Sequence, residues 1–149
     1  MSSGKLFSSR NFLFYFISIW CKRVKRMIIW KFGSRIYSSD KSDNNLSYRV
    51  KKHQSVLIRK YPDADISLQY NKVTNLKIAI AKIDGIIIHP GDTFSFYKLV
   101  GYPSKRKGYL KGMELSFGKV KPGIGGGLCQ IVNLIHWLVI HSPLTVTER

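Results

Sequence analysis

The segment Lys121–Gln130, K-P-G-I-G-G-G-L-C-Q, sets three consecutive glycines one residue ahead of Cys129, directly before the apolar run Ile131–Ile140. Glycine lacks Cβ and tolerates positive φ, so Gly125, Gly126 and Gly127 can form a tight turn that presents backbone N–H groups. Leu128–Ile140 has helical length with no internal Gly or Pro, which puts Cys129 in the first helical turn. The partial positive charge at a helix start favours a thiolate there. A nucleophile beside backbone donors suits acyl-transfer chemistry, with Gly125, Gly126, Gly127 and Gln130 as the binding residues around catalytic Cys129. The same residues also fit a second reading, in which the glycines let a loop pass close to a sheet and Cys129 is a small buried hydrophobe.

A cysteine nucleophile needs a base within hydrogen-bond reach, and the sequence offers four histidines. His136 shares the helical face of Cys129 at i+7, about 10 Å along the axis, too far for a direct dyad. His141 lies farther along the same helix, and His89 precedes Pro90 in a turn. His53 can approach only from across the fold. Metal ligation by Cys129 and His136 meets the same distance barrier, and no C-x-x-C or zinc spacing is present. The glycine loop lacks the Lys-Ser/Thr that closes a P-loop and the G-x-G-x-x-G spacing of dinucleotide sites. No metal and no cofactor are expected.

The elements that must position these residues read as α+β. Asn71–Asp84 carries Val73, Leu76, Ile80 and Ile83 near helical spacing and ends at Gly85. Ile86–Ile88 reads as a short strand, His89–Asp92 as a turn, and Thr93–Tyr97 as a half-buried strand because Phe94 and Phe96 alternate with Ser95. Tyr102–Gly108, with Lys105, Arg106 and Lys107, reads as a surface loop. Glu114–Phe117 and Lys119–Lys121 flank Gly118 as a hairpin. Ser55–Arg59 has β-branched character, Tyr61–Asp65 is a proline turn, and Leu144–Thr147 can start a strand after Pro143. The expected fold is a small mixed domain of short strands with a helix after the glycine-rich loop, plus a basic amphipathic helix at the amino terminus.

That extension holds most of the charge. The chain has 149 residues and a net charge of +17, with 25 Lys and Arg against 8 Asp and Glu. About +12 of this falls within Met1–Lys60. Phe12–Lys31 has two apolar runs separated by Lys22, Arg23, Lys25 and Arg26. Its first apolar run is far shorter than the roughly 20 residues needed to span a bilayer. Lys5, Arg10 and Phe12–Trp20 resemble a signal peptide, but no small-residue cleavage site follows. An interfacial helix with aromatics on one side and snorkelling cations on the other remains, beside the alternative of a helix packed on the domain. Tyr37–Ser47, rich in Ser, Asp and Asn, reads as a linker. Such a field attracts an anionic membrane surface or a wall polymer, and no helix-turn-helix, zinc or RNA-binding signature points to a specific nucleic acid.

Five ordered blocks carry a family resemblance: G-I-I-I-H-P-G-D-T-F-S-F, L-V-G, K-G-Y-L-K-G, G-I-G-G-G-L-C-Q and H-S-P-L-T-V-T-E-R, between Gly85 and Arg149. Together they resemble the VanW family, and the likeness extends upstream through Asn71–Asp84 and loosely to His53–Lys60. It divides the chain into an extension and linker, 1–47, and a VanW-like domain, 48–149. It also singles out His53 as the candidate base. Members of the family continue past the V-T-E-R segment with a further histidine, so the resemblance implies an incomplete domain. It implies association with glycopeptide resistance and the cell envelope, and carries no settled activity. The expectation is an accessory or binding module, cytoplasmic or peripheral at the inner membrane face, with an anionic membrane surface or cell-wall precursor as partner. The alternative is a cysteine-dependent acyl-transfer or hydrolytic enzyme of peptidoglycan metabolism, and the sequence leaves open whether the chain is an enzyme.

Overall fold

Residues 12–44, 46–59, 65–116 and 119–148 are described by the computed structural model. The first four residues of the expected Tyr61–Asp65 turn, the charged start at Lys5 and Arg10, and Gly118 lie outside the described residues. Among those described, helix α1 runs Phe12–Phe32, α2 Ile66–Ile83, α3 Phe96–Val100 and α4 Leu128–Val139. Strands β1, Lys111–Ser116, and β2, Lys119–Ile124, form one antiparallel hairpin. The α+β expectation holds.

Helix α2 is the centre of the domain. Asp65 caps it: its carboxylate accepts from the Ser67 N–H at 2.8 Å and from the Ser67 hydroxyl at 2.5 Å. These bonds stabilise the ionised form and hold the Asp65 carboxyl below its ordinary range. The helix starts five residues before the apolar spacing indicated, at the Asp65 cap, and of the four spaced apolar residues only Leu76 is buried. The buried residues are Gln69, Lys72, Asn75, Leu76 and Ala79, whereas Ile80 is exposed and Val73 and Ile83 are half-buried. Lys72 and Asn75 occupy the buried stripe because neighbouring backbone needs their hydrogen bonds, whereas the Gln69 amide donates to the Met113 sulfur at 3.3 Å.

The hairpin packs against α2. Its register pairs Lys111 with Ile124, Gly112 with Gly123 and Ser116 with Lys119, so it is longer than the sequence pattern indicated. The core joins Leu76 and Ala79 of α2, Val100 of α3, Tyr109, and Leu128 and Ile131 of α4, with Ile78, Phe96, Ile124, Val132 and Ile135 against them.

Three expected strands are absent. Ile86 makes only an isolated bridge to Lys41, and Thr93 one to Tyr37. From Phe96 the chain turns into α3, because the Lys98 and Leu99 N–H groups bond to the Ser95 carbonyl and Gly101, at φ +71, ends the turn. Residues 144–148 have no strand partner among the described residues. The segment read as a linker lies along the domain: Ser38 N–H donates to Thr93, Ile87 N–H to Asp40 and Ser42 N–H to Gly85, at 2.9–3.1 Å, and Ser38 is buried. No helix among the described residues is long and apolar enough to cross a membrane.

Candidate functional site

The glycine loop is shaped by close backbone approach. A Cβ on Gly126 would collide with the backbone of Gly112, and one on Gly112 would collide with the Gly126 carbonyl. Gly127 has φ +95, and a side chain there would strike the stem of Lys72. Asn75, fully buried, closes the arrangement: its amide donates to the carbonyls of Leu110 and Gly126, each at 3.0 Å, and its oxygen accepts from the Leu110 N–H at 2.8 Å. The Gly125 N–H donates to Leu110 and the Gly126 N–H to Gly123, both at 3.0 Å. Those two donors are internal to the fold, so the exposed donors expected across Gly125–Gly127 are not available at these positions.

The loop delivers the chain into α4, which has two working faces. Leu128, Ile131, Val132 and Ile135 pack into the core. The opposite face presents Cys129, Gln130, Asn133, Leu134 and Trp137 to a groove of about 360 Å³. Cys129 lies in the first turn and is exposed, so it is not a buried hydrophobe.

The far wall of the groove is residues 53–59, an extended strap crossing α4. Gln130 Nε2 donates to the Ser55 hydroxyl at 3.0 Å and to the Val56 carbonyl at 3.1 Å. Lys72 Nζ donates to the Leu57 carbonyl. The His53 ring lies 4.2 Å from that of Trp137, whose other neighbour is the His141 ring at 4.1 Å. Lys51 Nζ approaches the same indole at 5.5 Å. The strap is thus clamped by side chains from α2 and α4.

Electrostatics at the groove are cationic. Burial pushes the Lys72 ammonium below its ordinary pKa; the neighbouring Arg59 charge adds to this and Cys129 opposes it. Arg59 and His53 also line the groove. His53 and Cys129, the two expected catalytic residues, therefore share one groove, but the imidazole lies tilted against Trp137, two helical turns beyond Cys129. His136 does not line the groove. His89 pairs with Asp40 at 3.4 Å, and His141 Nδ1 sits 2.7 Å from the Trp137 carbonyl. No group of three or more His, Cys, Asp or Glu able to hold a metal occurs among the described residues.

Sequence reasoning missed Lys72, Arg59 and Trp137. The signal for Lys72 was its position three residues before Asn75 and four before Leu76 on α2. Trp137 was readable as i+4 from Asn133 and i+8 from Cys129 on one helical face. Nothing local marked Arg59, which is brought to the site by the strap.

A family model described as VanW like protein matches residues 71–149. The chain is 34% identical over 132 residues to the vancomycin B-type resistance protein VanW of Enterococcus faecalis, an alignment that spans 86% of this chain and 48% of that protein. It is 31% identical over 75 residues to the uncharacterized protein YoaR of Bacillus subtilis, covering 50% of this chain and 25% of that one. The chain thus spans about half the length or less of these relatives. No solved structure matches it.

Proposed function

The chain belongs to the VanW family, and we propose that it acts in glycopeptide resistance at the cell envelope as an accessory module that binds, and does not turn over, an anionic cell-wall precursor in the Cys129 groove. The observation that carries this reading is the use made of the groove's polar side chains. Gln130 and Lys72 hold the strap, and the His53 ring lies against that of Trp137. In a cysteine hydrolase such groups would be directed at the nucleophile. Here they build a wall.

The ligand class follows from the lining. Arg59 and Lys72 supply positive charge, the Asn133 amide supplies polar contacts, and Leu134 and Val56 supply apolar surface. A peptide ending in a carboxylate, as in a muramyl peptide, matches a cationic groove with mixed walls.

The alternative, cysteine-dependent acyl transfer, draws on the exposure of Cys129 at a helix start beside Lys72. One experiment separates the two: calorimetric titration of the chain with muramyl peptides, followed by mass analysis of the recovered peptide. The binding reading expects saturable association, weakened about tenfold by Arg59→Ala, with the peptide returned intact. Cleaved or transferred peptide, abolished by Cys129→Ala, would establish the enzyme instead. Neither association nor product would sink both.

A further inference from the structure

Helix α1 presents an apolar face that is largely exposed among the described residues. Its 21 residues form one uninterrupted helix through the basic cluster. At 100° per residue, Ile17, Trp20, Val24, Met27 and Ile28 fall on a single stripe. Trp20 is 68% exposed, Met27 and Ile28 are each 52% exposed, and Ile17 is 49% exposed. The other side carries Lys22, Arg23, Lys25 and Arg26, and the helix has no acidic residue.

The basic side is the one that meets the domain. The Arg23 guanidinium lies 4.6 Å from the Tyr102 ring centroid, and Arg26 makes a two-pronged pair with Glu148 at 2.5 and 2.7 Å. These contacts fix the helix by its basic edge. The stripe of Ile17, Trp20, Met27 and Ile28 faces away.

We propose that α1 is an in-plane anchor that docks this stripe into the surface of an anionic phospholipid bilayer. Three observations select that occupant. Of the five cations of α1, Arg26 pairs with Glu148, Arg23 lies over the Tyr102 ring and Lys31 over the Phe32 ring, which leaves Lys22 and Lys25 without a partner among the described residues and open to a negatively charged surface. A second copy docked stripe to stripe would bring two helices together that have no acidic residue to offer each other's Lys22 and Lys25. The large indole of Trp20, toward one edge of the stripe, suits the headgroup boundary, where an amphipathic ring keeps its N–H wet. The cationic band in mid-helix also keeps α1 lying on the surface, since no helix among the described residues is long and apolar enough to cross. This inference is independent of the groove and of what it binds.

The test is sedimentation of the whole chain with phosphatidylcholine vesicles made with and without phosphatidylglycerol, at low and high salt. The chain should sediment with the anionic vesicles, and its tryptophan emission should shift to the blue, a shift lost in Trp20→Phe. Ile17→Glu with Ile28→Glu should lower partitioning about tenfold or more, and Lys22→Gln or Lys25→Gln about fivefold each. Far-UV dichroism confirms that each variant keeps its fold; Trp20→Phe, which changes only one exposed ring, decides if the glutamate pair does not. Absence of vesicle binding by the unaltered chain would overturn the proposal, as would unchanged partitioning in the glutamate pair. A dimer in free solution that the glutamate pair splits, with vesicle binding unaffected, would assign the stripe to a second copy.

Discussion

The amide of Asn75 donates to the Gly126 carbonyl at 3.0 Å while the same side chain satisfies both the N–H and the carbonyl of Leu110. Helix, hairpin and glycine loop therefore meet at one buried side chain. The loop's position, and with it the start of α4, depends on α2.

Asn75→Leu should lower unfolding stability by about 3 kcal/mol, because the Leu110 N–H and the carbonyls of Leu110 and Gly126 lose their partner inside the protein. Asn75→Asp should be at least as damaging. It keeps the acceptor for Leu110 N–H but turns a carboxylate oxygen toward two carbonyls. Urea denaturation followed by far-UV dichroism measures both, and a loss under about 1 kcal/mol would contradict the role assigned to Asn75.

Glycine substitutions should rank by their surroundings. Gly126→Ala forces a methyl against the Gly112 backbone, where neither segment can yield, and should cost about 3 kcal/mol or prevent folding. Gly91→Ala meets nothing within 4 Å and bears only its φ of +87, so about 1–2 kcal/mol is expected. Equal losses at the two sites would show that the close approach of Gly112 and Gly126 is unimportant.

Cys129 should be fully accessible to iodoacetamide in the folded chain, with Cys21, also exposed, replaced by Ser to give a single signal. Alkylation should not speed up on unfolding beyond the small change expected of an open site. Cys129→Ala should leave stability within about 0.5 kcal/mol, since it removes no buried group and Ala favours the helix. Labelling that requires denaturant would place the thiol in the interior.

The strap is held by few bonds, so removing them should free it. Gln130→Ala removes two donations to Ser55 and Val56. At about 1 kcal/mol net for each bond, tryptic cleavage at Lys51, Lys52 or Arg59 should rise roughly tenfold or more while global unfolding is little changed. Cleavage at the unaltered rate would mean that other contacts hold residues 53–59.

The Arg26–Glu148 pair gives the attachment of α1 a pH dependence. Hydrogen bonding from Arg26 holds the Glu148 carboxyl below the ordinary glutamate range. A depressed carboxyl contributes stability above its unfolded pKa and loses that contribution as pH falls through its folded value. Proximity of α1 to the carboxy-terminal segment, read from spin labels at Ser18 and Val146, should therefore persist at neutral pH and relax below the usual carboxylate range. Glu148→Gln should relax it at neutral pH, and because the pair is exposed its effect on global stability should be small.

Local chemistry in the sequence determined the punctuated elements. The run of glycines, the apolar segment without Gly or Pro and Pro143 after it mark α4 and set Cys129 in its first turn, as the structure has it. Gly118 between two short runs marked the hairpin. Helix periodicity and the basic cluster marked α1 as amphipathic. The alternation of Phe94, Ser95 and Phe96 was ambiguous, since a few residues of period two fit either a strand or the approach to a helical turn. The structure chose the turn because Ser95 and Gly101 close it and Val100 reaches the core.

What only the tertiary structure decided is which side chains the buried backbone requires. Asn75, Lys72 and Gln69 look like solvent-facing residues on α2, and periodicity alone favoured Ile80. The burial of Asn75 and Lys72 depends on the Leu110, Gly126 and Leu57 carbonyls arriving from distant parts of the chain, and that of Gln69 on the Met113 sulfur of β1. The groove has the same origin: Cys129 and Trp137 share one helical face by sequence, but its other wall is a strap more than seventy residues earlier, joined by Gln130 to Ser55 and Val56. Local propensity acts over a few residues and so defines helices and turns, whereas hydrogen-bond satisfaction between remote segments is decided only when the chain has closed upon itself.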